Sequence, residues 1–218
     1  VSENPDRAVE LVLNGVDKTT FYSSPAGPRP TNSFRVLIEG PLQPESKGTA
    51  LALAGALKSL SATHITHVGN EPFETTDNRY YFIQSSLSFQ EMGKLYREHH
   101  VLVKTPLAEG MFGPPLEAFH CGTPAIVTPV SGSEEYVVDG YNALVVGWDN
   151  PGQLSAAIDA LAGHPERWQT LSTGALKTAE AWPTWEDQAR RFEEALVRVS
   201  SFSKLTQRDL ANLSRTIG

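Results

Sequence analysis

The sequence has one cysteine, no long apolar run and no excess of positive charge, and each shortage excludes a class of protein. Cys121 is the single cysteine among 218 residues, so an internal disulfide is excluded and a reducing, cytoplasmic compartment is indicated. No stretch of about 18 apolar residues occurs, which predicts that nothing in the chain spans a membrane. The net charge is −7. This argues against a nucleic-acid partner, because such a surface needs a basic stripe.

The N-terminus also lacks two common features. It begins Val1-Ser2-Glu3 rather than with methionine, and it has no basic or apolar character of a signal peptide. We therefore expect a fragment or a processed product. The length suits one domain, or one and a half, and is large enough for a core. An apolar fraction of 40% and a charged fraction of 20% are ordinary for a globular protein.

Apolar runs alternate with helical segments along the chain, and this order predicts an α/β fold with a Rossmann-like, doubly wound parallel sheet. The predicted strands are residues 8–13, 34–38, 63–68, 80–83, 101–103, 125–127 and 143–146. The predicted helices are residues 49–60, 88–99, a segment from Pro114-Pro115 to just before Gly122, 134–138, 153–161 and 184–199. We expect one domain over residues 1–199, in which 1–33 supply a leading strand and a linker, and a polar tail over 200–218.

One strand–loop–helix–strand unit has two carboxylates eight positions apart. Glu109 lies in a glycine-bearing loop, and Glu117 lies in the first turn of the helix that Pro114 and Pro115 begin. A helix N-terminus has free backbone N–H groups that favour an anion. A phosphate-bearing ligand held by backbone, with a carboxylate on each side for hydroxyl groups, suits a nucleotide sugar.

The segment from Glu109 to Glu117 resembles the E-x7-E signature of retaining glycosyltransferases with the GT-B fold, the family 4 type. Three further segments resemble that family in the same order: Asn14-Gly15-Val16-Asp17 with Phe21, Gly40 with Lys47-Gly48, and Gly132-Ser133-Glu134-Glu135 with Asp139-Gly140. The resemblance covers roughly residues 10–197. It implies the C-terminal, donor-binding half of a two-domain GT-B fold.

The resemblance also implies roles for individual residues. Glu109 would be catalytic, accepting bonds from the donor sugar and stabilising an oxocarbenium-like transition state. Glu117 would bind the ribose hydroxyls, and Lys47 would neutralise the diphosphate. The other implied donor-binding residues are Gly110, Met111, Phe112, Gly113 and Leu116. Simpler interpretations stay open: Glu117 could offset the helix dipole, and Glu109 and Lys47 could be solvated charges.

The sequence departs from the family pattern near the diphosphate segment. Pro41-Leu42 follows Gly40 where the family has arginine, and the loop to Lys47 is one residue longer. Ala143 also replaces a common glycine. Lys104, at the carboxyl end of a predicted strand, is our candidate to supply the missing charge, since ligands gather at that edge of α/β sheets.

The implied reaction is hexosyl transfer from a nucleoside diphosphate sugar to an acceptor hydroxyl, without a metal or a cofactor. The acceptor-binding N-terminal domain would be missing, so the chain alone would be inactive. Any peripheral membrane association would come through that domain. The missing arginine favours an alternative, a non-catalytic nucleotide-sugar binding module. A nucleotide-sugar epimerase of GT-B architecture ranks third. The base, the sugar and the acceptor stay open.

The remaining chemistry-bearing residues predict structural roles. The six histidines show no metal-ligand spacing. Cys121, at a predicted helix end, is expected to pack as a small apolar residue rather than act as a nucleophile. The four tryptophans are expected to pack against the C-terminal helices rather than stack on a base. They are Trp148, Trp168, Trp182 and Trp185.

Overall fold

The computed structural model describes residues 10–24 and 33–199. The described residues divide into two compact units, one within residues 18–182 and the other formed by residues 10–17 with 183–199. The predicted tail, residues 200–218, lies outside the described residues, so the predicted domain boundary at 199 stays a prediction. None of the described helices is long and apolar enough to cross a membrane.

The larger unit contains a six-stranded, wholly parallel sheet, which confirms the predicted fold class. Its strands are β1 (Arg35–Glu39), β2 (His64–Gly69), β3 (Tyr80–Gln84), β4 (Val101–Lys104), β5 (Ala125–Val127) and β6 (Ala143–Val145). Their order across the sheet is β3-β2-β1-β4-β5-β6. The order reverses between β1 and β4, and such a reversal opens a crevice at the carboxyl ends of the strands.

Helices cover both faces of the sheet. They are α1 (Thr49–Lys58), α2 (Phe89–Glu98), α3 (Gly113–His120), α4 (Pro151–Gly163) and α5 (Pro165–Ala181). In the smaller unit, residues 185–199 form α6. Helices α1 and α4 pack together. Their apolar residues share a core with alternate residues of the strands, such as Val36 and Val103. The second and third pack together. β1 and β4 are apolar almost throughout because neighbours cover them on both faces.

The predicted helix boundaries follow from capping residues that the structure confirms. Ser88 and Glu91 exchange both bonds of a capping box at the start of α2. The Asn150 side chain accepts a hydrogen bond from the Gln153 N–H at 2.9 Å, with proline at the first helical position. Gly122 has a φ of 79° after the end of α3, where a left-handed residue terminates a helix.

The first predicted strand is wrong over its described part. Residues 10–13 have no strand structure, and residues 8–9 lie outside the described residues. Instead of joining the sheet, the Leu13 N–H donates to the Gln188 side chain at 2.8 Å, and Val16 forms an isolated bridge with Thr184. Leu11 is exposed. The described part of this apolar run, residues 10–13, therefore belongs to the smaller unit and pairs with no strand of the sheet. Most of the predicted linker, residues 25–32, is likewise outside the described residues.

The predicted helix over residues 134–138 is also wrong. The structure has a single turn of 3₁₀ helix at Ser133–Glu135, entered through Gly132 with a φ of 83°. The turn ends because Tyr136 adopts a non-helical conformation and buries its ring. Its hydroxyl donates to the carbonyl of Phe112, which holds the segment against the neighbouring loop.

The sequence analysis does not predict the 17-residue α5. Its buried residues are Leu171, Ser172, Gly174, Ala175 and Ala179. Small and polar residues give a weak periodic signal, although Pro165 marks the start. The predicted packing is right for Trp168 and Trp182, which are partly or wholly buried. For Trp148 and Trp185, which are 49% and 51% exposed, it stays a prediction.

Candidate active site

Two loops meet at the crevice between β1 and β4. The Leu107 N–H, in the loop after β4, donates to the Ser46 carbonyl in the loop after β1 at 2.8 Å. The Thr105 hydroxyl donates to the Gly48 carbonyl at 3.0 Å. Gly48 has a φ of 67°, and a Cβ there would lie 1.8 Å from the backbone carbonyl oxygen of Thr105. Glycine is therefore required at this position, both for its conformation and for the close approach of the loops.

Lys47 and Glu109 form an ion pair across these two loops. The Lys47 Nζ lies 3.1 and 3.2 Å from the two carboxylate oxygens of Glu109. The lysine side chain is 36% exposed and the glutamate 14%. The fold thus brings together two predicted site residues that are 62 positions apart. Because the ammonium of Lys47 is partly exposed to solvent, it can exchange the carboxylate of Glu109 for another anion.

Glu117 lies in the first turns of α3 and is mostly buried. The hydroxyl of the fully buried Tyr96, on α2, donates to its Oε2 at 3.1 Å. Burial raises the pKa of Glu117, and the bond from Tyr96 acts in the opposite direction. The Oε1 atom accepts no hydrogen bond from the described residues. It lies near Gly113, where a Cβ would be 3.9 Å from it and 3.4 Å from the Met111 sulfur. One oxygen is therefore held while the other can accept further hydroxyl groups.

The N-terminus of α3 offers fewer amide donors than the sequence analysis expects. Pro114 and Pro115 have no N–H group. The N–H of Gly113 already donates to the Met111 carbonyl at 3.1 Å. The first three residues of the helix therefore leave no free amide for a phosphate, and only the helix dipole still favours an anion there.

The N-terminus of α1 lies at the same crevice and has a different composition. It begins at Thr49, directly after Lys47-Gly48, and none of its first four residues is proline. The first N–H groups of a helix have no intrahelical partner. The Thr49 Oγ1 is also buried, with no hydrogen-bond partner among the described residues. A Cβ on Gly40 would lie 2.7 Å from it, which places this hydroxyl beside the start of the loop.

The other predicted donor-binding residues, in the loop after β4 and in α3, divide into an exposed and a buried group. Gly110 and Met111 are exposed, the latter at 41%. Phe112 and Leu116 are completely buried, and Tyr136 donates to the Phe112 carbonyl. The side chains of Phe112 and Leu116 therefore pack inside the protein beneath the loop and are not available for ligand contact.

Lys104 is buried at the carboxyl end of β4 and has a partner that the sequence analysis missed. Its side chain, 8% exposed, forms an ion pair with the Glu39 carboxylate and donates to the Glu39 carbonyl at 3.2 Å. The sequence signal was an acidic residue at the end of an apolar strand, directly before Gly40. The pairing of Glu39 with Lys104 could not be predicted from the sequence, because the contact depends on the pairing of β1 with β4.

Two further sequence expectations concern metal-ligand clusters and the single cysteine. Among the residues described, no group of three or more histidine, cysteine or acidic side chains could hold a metal ion. Cys121 is buried as expected, and burial raises the pKa of its thiol to about 11. It is therefore not a thiolate near neutral pH.

Residues 33–164, more than half of the chain, match the family model of glycosyl transferases group 1, and the chain belongs to that family. An uncharacterized glycosyltransferase of Methanocaldococcus jannaschii is 32% identical over 195 residues, which cover 85% of this chain and 52% of that protein. The chain thus spans about half the length of this relative.

Two solved structures share the fold. Anabaena HepE, in complex with UDP and glucose, superposes with a TM-score of 0.72 at 18% identity, over 87% of this chain and 57% of HepE. The C-terminal domain of the group 1 glycosyl transferase LpcC from Francisella tularensis superposes with a TM-score of 0.65 at 20% identity. That match covers 76% of this chain and 97% of the LpcC domain. The chain therefore has the Rossmann-like architecture of GT-B glycosyltransferases.

Proposed function

We propose that the chain is the donor-binding, C-terminal half of a retaining glycosyltransferase of the family 4 type. The reaction would move a hexosyl group from a nucleoside diphosphate sugar to an acceptor hydroxyl. The observation that carries the proposal is the contact of Lys47 with Glu109 at the switch point of the sheet, with Glu117 on the helix that follows. The UDP and UDP-glucose in the HepE structures support the donor class, and the match to the LpcC domain supports the C-terminal position.

Each charged residue has a role that fits its surroundings. Lys47, which is partly exposed, would bind the diphosphate and neutralise the leaving group. Glu117 would accept the ribose hydroxyls through the oxygen that Tyr96 does not occupy. Glu109 would accept hydroxyls of the sugar and face the positive charge that develops in the transition state.

Binding of the donor would then exchange partners at the ion pair. The diphosphate takes the ammonium of Lys47, and the carboxylate of Glu109 is released toward the sugar. The N-terminus of α1, beginning at Thr49, would add amide donors on the phosphate side. Gly110 and Met111, the exposed residues of the loop, would line the sugar.

Lys104 would act differently from the arginine that the family has after Gly40. Its ammonium already has a carboxylate partner in Glu39, so a phosphate would have to displace that partner. We therefore assign direct contact with the diphosphate to Lys47, and we assign to Lys104 a supporting charge behind it.

The pairing of Lys104 with Glu39, together with Pro41 in place of the arginine, also favours the second candidate, a binding module without turnover. The epimerase remains a third and weaker candidate, because it rests on architecture alone. Cytoplasmic location, independence of metals, and any membrane association through a missing domain stay predictions.

A thermal-shift panel of UDP, GDP, ADP and their glucose or mannose derivatives tests donor binding, because a ligand that binds the folded state raises the unfolding temperature. We expect one nucleotide series to bind and the chain alone not to transfer, since the proposal assigns the other half of the cleft to a second domain. Product analysis with a two-domain protein that contains this chain separates the candidates: a glycosylated acceptor, no product, or an epimerised donor. The absence of a shift with every nucleotide would refute the proposal.

A further inference from the structure

A chain of hydrogen bonds at the carboxyl edge of the sheet connects the loop after β2 with the loop after β1. The N–H of Phe73 donates to the Tyr80 hydroxyl oxygen at 2.8 Å. That oxygen lies 3.0 Å from the Nδ1 of His67, and the Nε2 of His67 lies 3.0 Å from the carbonyl oxygen of Gly40. His67 is fully buried. Gly40 is the first residue of the loop that carries Lys47.

The donor and acceptor roles in this chain follow from the chemistry of its ends. The Gly40 carbonyl only accepts, so the Nε2 of His67 carries the proton. Burial lowers the pKa of His67, which is therefore neutral near pH 7, and its Nδ1 accepts from the Tyr80 hydroxyl. The Tyr80 oxygen in turn accepts from Phe73. Every group has a partner, and the imidazole has one defined tautomer and orientation.

A glycine beside the imidazole permits the contact between the His67 Nε2 and the Gly40 carbonyl oxygen. A Cβ on Gly69 would lie 2.4 Å from the His67 Nε2 and 2.9 Å from the Gly40 oxygen, so a larger residue would separate them. The Gly40 N–H donates to the Val68 carbonyl at 2.9 Å. Both backbone groups of Gly40 are thus held by β2, and the loop toward Lys47 starts from a fixed point.

We propose that His67 is a positioning residue for the donor: by holding the Gly40 carbonyl, it sets the path of the loop that presents Lys47 to the diphosphate. The inference rests on the proposed function, since it concerns how tightly a nucleoside diphosphate is held. His67 itself does not touch the ligand, and its effect passes through Gly40.

Two substitutions separate the ends of the hydrogen-bond chain. In His67→Gln the side-chain amide nitrogen can take the place of Nε2 and keep the bond to Gly40. In His67→Asn the side-chain oxygen can take the place of Nδ1 and keep the bond from Tyr80, but the side chain is too short for Gly40. Both variants lose one bond and the ring, so we expect similar losses of stability. His64→Gln, on the same strand and stacked on Tyr81, is the control.

The measurement is calorimetry of each variant of the 218-residue chain with UDP, GDP and ADP, together with denaturant unfolding. We expect His67→Asn to weaken the best nucleoside diphosphate about tenfold, as loss of one buried hydrogen bond would. His67→Gln and His64→Gln should stay within about twofold of the wild type. The ¹H–¹⁵N spectrum of the imidazole should show a proton on Nε2 and none on Nδ1.

The outcomes are distinct. Equal affinity in His67→Asn and the wild type would overturn the inference and leave the proposed function standing. Equal weakening in the Asn and Gln variants, in step with their stability, would show a structural role only and would overturn it too. A proton on Nδ1 would contradict the assigned direction of the bonds. No binding of any nucleotide to the wild type would refute the proposed function, and the inference with it.

Discussion

Replacement of Glu109 by alanine should change the affinities for UDP and for UDP-glucose in opposite directions. In the unliganded protein the carboxylate occupies the ammonium of Lys47, with Nζ–O distances of 3.1 and 3.2 Å. A diphosphate that binds Lys47 must replace this partner. Solvent-exposed ion pairs contribute about 0.2–1 kcal/mol, and on that scale removal of the carboxylate should tighten UDP by up to about fivefold.

UDP-glucose gains the same advantage in Glu109→Ala but loses its contact with the carboxylate. A hydrogen bond to a charged group contributes about 1.5–3 kcal/mol, which outweighs the gain, so the sugar nucleotide should bind more weakly than to the wild type. In a two-domain protein that contains this chain, turnover should fall by orders of magnitude, since the charge that Glu109 is proposed to face develops in the transition state.

Calorimetry with both ligands at low and high salt measures the effect, and Glu74→Ala is the matched control. Glu74 is exposed, and its removal changes the net charge by the same amount, so this variant shows how much of the effect comes from net charge alone. We expect both affinities of the control to stay close to wild type. A loss of UDP affinity in Glu109→Ala as large as the loss of UDP-glucose affinity would refute this assignment.

Three further predictions follow from the site and the core. Glu117→Gln keeps an acceptor for Tyr96 but removes the charge, so it should weaken UDP and UDP-glucose equally, by about 1–3 kcal/mol in calorimetry; an effect on the sugar nucleotide alone would be contrary. EDTA should leave the affinity for UDP unchanged, because Lys47 and the α1 N-terminus provide the positive charge; affinity restored by Mg²⁺ or Mn²⁺ would contradict this. Burial lowers the pKa of His99 to about 4 from 6.5. Between these two values the unfolded chain binds more protons than the folded protein, so the protein should become less stable as the pH is lowered. Between pH 7 and 5 the loss from this residue is about 2 kcal/mol. Denaturant unfolding of wild type and His99→Gln at the two pH values measures it, and identical pH dependence would refute it.

Those parts of the fold that depend on local sequence were predictable. The apolar runs of β1, β2 and β4 and the caps at Ser88 and Asn150 act within a few residues, so they can be read without knowledge of the partner elements. Two predictions failed for different reasons. The apolar run over residues 8–13 resembles a strand, but its described residues, 10–13, are not part of the sheet. The buried stripe of α5 consists mostly of small residues, which give a weak periodic signal.

By itself, the sequence determined which residues form the candidate site, because the spacing of Glu109 and Glu117 and the order of the four segments are properties of the chain. Only the tertiary structure decided what these residues contact. Lys47 meets Glu109 and Glu39 meets Lys104 because β1 and β4 are adjacent and in a defined register. Tyr96 meets Glu117 because α2 packs against α3. Partners separated by 21 to 65 positions leave no local pattern, since their approach depends on the packing of whole elements. The same packing buries His67 between two loops and converts an unremarked histidine of a strand into the support of Gly40.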